Sequence, residues 1–201
     1  MPPETSIAAG NWAIILAAGA SQRMGTCKAM LPWGEGQTLF TYQIERFSRA
    51  GIRTIAVLNP RNAALMGNSI GAIRAIVNTS PELGKIHSIL LGLSQLPPNF
   101  ATVIISAVDQ PRPAQLYQDL IHRSQQQANP LVVPTFQGKI GHPILFSRKL
   151  LPELLAISEA TLGLRQVIKK YRSSISYLEA TEIVLTDLNT PDAYNKSLKK
   201  L

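Results

Sequence analysis

At 201 residues, 45% of them hydrophobic, the chain is long enough to close one full core and short for two. No apolar run approaches the roughly 18 residues of a membrane span, the first dozen residues lack a basic-then-apolar leader, and the single Cys27 excludes an internal disulfide or a multi-cysteine metal site, so a cytoplasmic protein without membrane contact is expected. The net charge of +8 favours anionic partners, yet the basic residues are dispersed apart from Lys196, Lys199 and Lys200, and aromatics make up only 6%, which argues against nucleic acid and for small phosphorylated ligands.

Residues 1–11 carry Pro2, Pro3 and Gly10 without periodicity and read as a flexible arm before one domain spanning 12–201. Ala13 to Ala17 is apolar at every position, as a parallel strand covered on both faces must be. Thr38 can cap a helix with apolar Leu39, Tyr42, Ile44, Phe47 and Ala50 that stops at Gly51. A second strand follows over Thr54 to Leu58, then a weakly helical stretch over 59–70 and a third strand from Ala72 to Val77. Pro81 to Gly84 turn into a helix containing Ile86, Ile89, Leu90, Leu93 and Leu96, which stops at Pro97-Pro98.

A fourth apolar strand, Thr102 to Ala107, runs straight into Val108-Asp109-Gln110-Pro111, and a helix from Ala114 to Gln127 and a strand from Leu131 to Val133 continue the alternation. The βα alternation predicts an α/β fold: a three-layer, doubly wound, mostly parallel sheet of Rossmann-like type. The last third departs from it. Phe136 to Phe146 predicts a small antiparallel excursion, followed by helices at Leu150 to Ile157 and Leu162 to Tyr171. Strands at Ser174 to Leu178 and Glu182 to Leu185 and a final helix capped by Thr190 with Pro191 at its first position complete the reading.

The loop after the first strand carries the clearest chemistry. Ala17, Ala18, Gly19, Ala20 and Ser21 have almost no side chains, so their amides can approach an anion closely, and Arg23 and Lys28 add two cations. The spacing excludes a Walker A loop, because Thr26 and Cys27 separate Gly25 from Lys28. It also excludes the alternate-glycine dinucleotide fingerprint, since position 21 is Ser. Asp109, just past an all-apolar strand, suits a Mg²⁺ held through one or two carboxylates and phosphate oxygens. The alternative is a helix cap.

Leu16-Ala17-Ala18-Gly19, Ser21, Arg23-Met24-Gly25 and Lys28 resemble the signature of the MobA-like nucleotidyltransferases, among them the cytidylyl- and guanylyltransferases of molybdenum-cofactor maturation. The resemblance implies that residues 16–21 wrap an NTP triphosphate while Arg23 and Lys28 act catalytically on the departing pyrophosphate. Asp109-Gln110-Pro111 resembles the cytidylyltransferase-like branch and implies a catalytic, Mg²⁺-binding Asp109. Asp187-Leu188-Asn189-Thr190-Pro191 mixes two forms of the family's late segment, so Asp187 or Asn189 supplies the second metal ligand. The full charge favours Asp187 and leaves Asn189 on the acceptor side. Asn78, with Gly84 and Ser88, matches the base-reading region and is compatible with CTP or GTP; His142, in Gly141-His142-Pro143, matches the loop facing the acceptor.

Where the relatives typically carry Gly-Asp-x-Gly-x-Arg, this chain reads Ala160-Thr161-Leu162-Gly163-Leu164-Arg165, without the carboxylate. The expected reaction is Mg²⁺-dependent transfer of NMP to a phosphorylated acceptor such as molybdopterin or a sugar phosphate, with a molybdoenzyme as a further partner. The rival is a nucleotide-binding module or molybdoenzyme chaperone without catalysis.

Overall fold

The computed structural model describes residues 10–21, 24–67, 71 and 73–200. The first predicted strand is β1 (Asn11–Ala17), every residue of which from Ala13 onward is buried. It pairs in parallel with β2 (Arg53–Leu58) on one side and β4 (Thr102–Ala107) on the other, with Ile14 facing both Ile55 and Ile105. The edge strand β3 (Arg74–Val77) adds to β2. These parallel strands bring their carboxyl ends to one edge, where the loops after β1, β3 and β4 meet.

The predicted excursion is deeper than a surface hairpin. From β5 (Leu131–Phe136) the chain reverses at Gln137-Gly138, both in the left-handed region, and returns as β6 (Lys139–Ile140) and β7 (Ile144–Ser147). β7 inserts antiparallel between β4 and β5, and β8 (Ile175–Glu179) pairs in parallel with the other side of β5. The sequence predicts a strand only over Leu131 to Val133, and Pro134 cannot donate to a ladder. The strand nevertheless continues, because the Pro134 carbonyl accepts the Gly141 N–H and Thr135 pairs with both Ile140 and Glu179. Between the pairs Thr135–Ile140 and Val132–Leu145, two residues of β5 oppose four on the return strand, 141–144. This bulge, which contains the cis His142–Pro143 bond, lifts His142 out of the ladder.

Helices cover both faces. α1 (Leu39–Arg49), held by a Thr38–Thr41 capping box, α2 (Pro60–Met66), α4 (Ala114–Gln126) and α7 (Pro191–Leu198) lie on the side of Ala13, Ile15 and Ala17. There Phe47 stacks on Tyr117 at 4.1 Å between ring centroids. α3 (Gly84–Leu93), α5 (Leu151–Leu155) and α6 (Leu164–Lys170) cover Ile14, Leu16, Val103 and Ile105. Each fully buried Ile, Leu or Phe in these two layers contributes roughly 1.5–3 kcal/mol through removal from water.

One predicted strand is absent. Glu182–Leu185 is a turn of 3₁₀ helix, in which only Val184 is buried while Ile183 and Leu185 stay largely exposed. Its backbone bonds locally, Val184 N–H to the Thr181 carbonyl and Thr186 N–H to the Ile183 carbonyl, and the Val184 carbonyl accepts the His142 N–H, so the segment closes on itself and on the bulge. No helix among the described residues is long and apolar enough to cross a membrane.

Candidate active site

The loops at the carboxyl edge surround a cleft of about 340 Å³. One wall is the phosphate-loop candidate. Leu16, Ala17, Ala18, Gly19 and Ser21 all line the cleft, and among the described residues, its two chain neighbours aside, no atom stands within 4 Å of where a side chain on Gly19 would begin. Ser21, at φ +54°, accepts the Lys28 N–H on its Oγ and turns the chain back toward the cleft. Arg23 lies outside the described residues.

Two asparagines missed in the sequence reading hold this wall from behind. Asn59 caps α2 and donates to the Ala18 carbonyl at 2.9 Å, while Asn62 donates to the Ala17 carbonyl at 2.5 Å. The thiol of buried Cys27 in turn donates to Asn62 Oδ1. These bonds commit the Ala17 and Ala18 carbonyls and fix the loop's conformation from one side. Asn59-Pro60 was legible as a helix start, but its link to residue 18 depends on β1 and β2 lying side by side.

Lys28 crosses the cleft. Its Nζ lies 2.7 Å from Asp109 Oδ2 and 2.8 Å from Asn189 Oδ1, joining positions separated by 81 and 161 residues. The ion pair is largely shielded from solvent, with 11% and 16% of the two side chains exposed. Asp109 is aimed from below by Gln43 of α1, whose amide donates to the carbonyls of Ala107 and Val108. The loop before α7 docks on the same turn: the Leu188 N–H donates to the Asp109 carbonyl, and Gln110 donates to Asp187 Oδ1 at 2.8 Å. Asp109, Asp187 and Asn189 therefore share one cleft, and both carboxylates face it.

The base-reading candidates separate. Ser88 lines the cleft, whereas Asn78 is fully buried behind it. Its Nδ2 donates to Ser88 Oγ and its Oδ1 accepts the Ser80 N–H, so Asn78 holds the wall and does not face the cleft. Pro81, Gly84 and Lys85 complete this side.

His142 lies at the rim of two neighbouring cavities and outside the cleft itself. Desolvation holds its pKa below the ordinary imidazole value, with Asp187 opposing and Lys85, Arg112 and Arg165 reinforcing the shift. Arg112 had no sequence signal and is the largest fully buried side chain among the described residues. Its guanidinium donates to the carbonyls of Pro111, His142, Val184 and Thr186, stitching together the loops that carry Asp109, His142 and Asp187. Burial pulls its pKa down, and Asp187 and Asp109 are among the charges that offset this.

A carboxylate pair beside an amide-lined loop and a lysine suits phosphate held together with a divalent ion. Among the described residues no three His, Cys, Asp or Glu side chains gather into a closed metal site. Two carboxylates that leave the remaining positions to phosphate and water match the donor set magnesium accepts.

Residues 13–175 match the MobA-like NTP transferase domain. The chain belongs to this family. It is 28% identical to the molybdenum cofactor cytidylyltransferase of Escherichia coli (strain K12) over 184 residues, 90% of this chain and 92% of the relative. Its fold is that of Rv0371c from Mycobacterium tuberculosis H37Rv, with a TM-score of 0.81 at 23% identity, covering 96% of this chain and 99% of the other. A structure of that protein in complex with manganese superposes with a TM-score of 0.77 at 21% identity, covering 96% and 100%. The present chain is thus a nucleotidyltransferase built on a Rossmann-like sheet.

Proposed function

We propose that the enzyme transfers a nucleoside monophosphate from CTP or GTP to a phosphorylated small molecule of the molybdenum-cofactor type. An oxygen of the acceptor phosphate attacks the α-phosphorus, the bond from that phosphorus to the bridging oxygen breaks, and its electron pair leaves with pyrophosphate. The product is a phosphoanhydride. The attacking group is already anionic, so the protein's task is in-line positioning and neutralisation of charge rather than proton abstraction.

The observation that carries this reading is the convergence of Lys28, Asp109, Asp187 and Asn189 on a cleft whose opposite wall is the bare backbone of 17–21. The amides of 17–21 hold the triphosphate, Lys28 offsets charge on the leaving pyrophosphate, and Arg23 is assigned the same task. Asp109 and Asp187 would hold Mg²⁺, which supplies Lewis-acid charge neutralisation on the phosphates. Ser88 reads the base from the cleft wall, with Asn78 fixing its hydroxyl. The cytidylyltransferase relative supports CTP and a molybdenum-cofactor acceptor.

A pyrophosphate-release assay across the four NTPs with Mg²⁺, molybdopterin cofactor and a panel of sugar phosphates tests the reading. Release is expected with CTP or GTP and the cofactor, and Asp109→Asn should abolish it. Nucleotide binding without release in the presence of every acceptor would instead leave a binding module.

A further inference from the structure

The phosphate loop leaves β1 at Ala17 and re-enters regular structure at the 3₁₀ turn Lys28–Met30, and one side chain of α2 is bonded at both of those ends. We propose that Asn62 is a positioning residue for nucleotidyl transfer: held to the Ala17 carbonyl and to the Cys27 thiol, it closes the loop and sets the distance between its bare amides and Lys28.

The inference rests on the transferase reading above and adds to it two residues, 35 positions apart, that no local pattern joins. α2 opens with a cap in which Asn59 Oδ1 accepts the Asn62 N–H at 2.7 Å, and this brings both asparagine side chains against the loop. Asn62 then uses both ends of its carboxamide. Its Nδ2 donates to the Ala17 carbonyl at 2.5 Å, and its Oδ1 accepts from Cys27 Sγ at 3.1 Å. With Asn62 4% and Cys27 6% exposed, little water competes for either bond, and a buried amide without partners would be costly.

A buried cysteine is ordinarily a small apolar group. Cys27 differs in that its thiol has an acceptor and in that Lys28 follows it directly. It is also the cap residue of the 3₁₀ turn, where its carbonyl accepts the Met30 N–H at 3.1 Å, so a shift of Cys27 shifts the turn that carries Lys28. The Lys28 side chain reaches from that turn to Asp109 and Asn189 at 2.7 and 2.8 Å. Asn62 itself lines the cleft, which puts the brace immediately behind the space assigned to the triphosphate. At such a site a displacement of about 1 Å is enough to lower turnover about 10²-fold.

The test uses the full chain, with inorganic pyrophosphate and Mg²⁺ as the calorimetric probe of the loop. Asn62→Leu, which is close to isosteric and removes both bonds, should weaken pyrophosphate on the order of tenfold. Cys27→Ser keeps a donor and should bind within about twofold of wild type, whereas Cys27→Ala should lose about threefold. Adding Cys27→Ala to Asn62→Leu should have no further effect, because the two residues act through one bond. A merely structural role would lower the urea midpoint of Asn62→Leu and leave the affinity of the folded chain unchanged, which would overturn the proposal. Equal affinity of Cys27→Ala and Cys27→Ser would overturn it as well, and that comparison decides if Asn62→Leu does not fold. Amide hydrogen exchange supplies a readout without ligand: the Lys28 N–H, bonded to Ser21 Oγ, should exchange about tenfold faster in Asn62→Leu and faster in Cys27→Ala than in Cys27→Ser. If the wild type binds no pyrophosphate, the transferase reading fails separately, and unchanged exchange in these variants would still overturn the brace.

Discussion

The two halves of the site are built on opposite principles. In the nucleotide half the polar groups that reach the cleft are, Lys85 apart, tied to one another: Lys28 to Asp109 and Asn189, Asp187 to Gln110, and the phosphate-loop carbonyls to Asn59 and Asn62. In the neighbouring half, Lys85, Arg165, Lys169 and Arg172 are exposed cations over walls that mix Ile and Leu with Gln110, His142, Glu159 and Asp187, and the side chain of Leu162 stands 71% exposed. Preorganised charge suits a triphosphate, which is common to every reaction of this kind. Exposed cations over walls of mixed polarity are less preorganised and cost more entropy to order around a ligand.

The largest effect should come from breaking the nucleotide half. Asp109→Asn and Lys28→Met are each expected to lower turnover by about 10²–10³-fold, the loss typical of one preorganised charge at a reacting centre. Circular dichroism should show the fold retained. Equal turnover in either variant would mean that the Lys28–Asp109 pair is only structural.

Arg112 joins the halves, so its removal should affect both. Arg112→Met leaves four loop carbonyls without their donor and should cost about 3 kcal/mol of stability in urea unfolding. Turnover should fall more than nucleotide affinity, because the His142 and Asp187 loops lose their common anchor. Retained stability would show that water replaces the guanidinium without loss.

Two glycines of the antiparallel insertion sharpen the contrast further. A Cβ on Gly141 would lie 2.5 Å from Val184 Cγ2 and 2.7 Å from the Val184 carbonyl oxygen, so Gly141→Ala must push the 182–185 turn away from the bulge. A loss of about 2 kcal/mol is expected. Gly138, at φ +75° in the turn with open space around it, pays only the backbone term, and Gly138→Ala should cost about 1 kcal/mol without altering turnover. Thermal unfolding of the pair, with turnover, checks the order.

The smallest effect is a pH slope. Because the folded pKa of His142 is lowered, the unfolded chain binds a proton below about pH 6.5 that the folded chain resists. Stability therefore falls as pH drops below that value and levels off once the folded imidazole also protonates. His142→Gln should flatten the slope in urea unfolding between about pH 5 and pH 7. An unchanged slope would place the titration elsewhere.

Much of the frame was legible from residue order. The all-apolar runs at 13–17 and 102–107, the Thr38 and Thr190 caps and the small residues of 17–21 declare themselves through local steric and hydrogen-bonding demands. The expected strand at 182–185 failed because a short apolar run does not say whether its backbone will bond to a neighbouring strand or, as here, turn by turn to itself. The Asp missing from 160–165 also reads differently in space. Thr161 closes a capping box with Ser158, and a carboxylate enters the cavity two residues earlier, from Glu159.

Sequence by itself determined which loop would present bare backbone and which carboxylate followed a buried strand, because both depend on neighbours a few residues away. Only the tertiary structure decided that Lys28, Asp109 and Asn189 meet, that Arg112 ties three loops and that Lys85 overlooks two cavities. Those contacts span tens of residues and are produced by the order of strands in the sheet, and local propensity carries no record of that order.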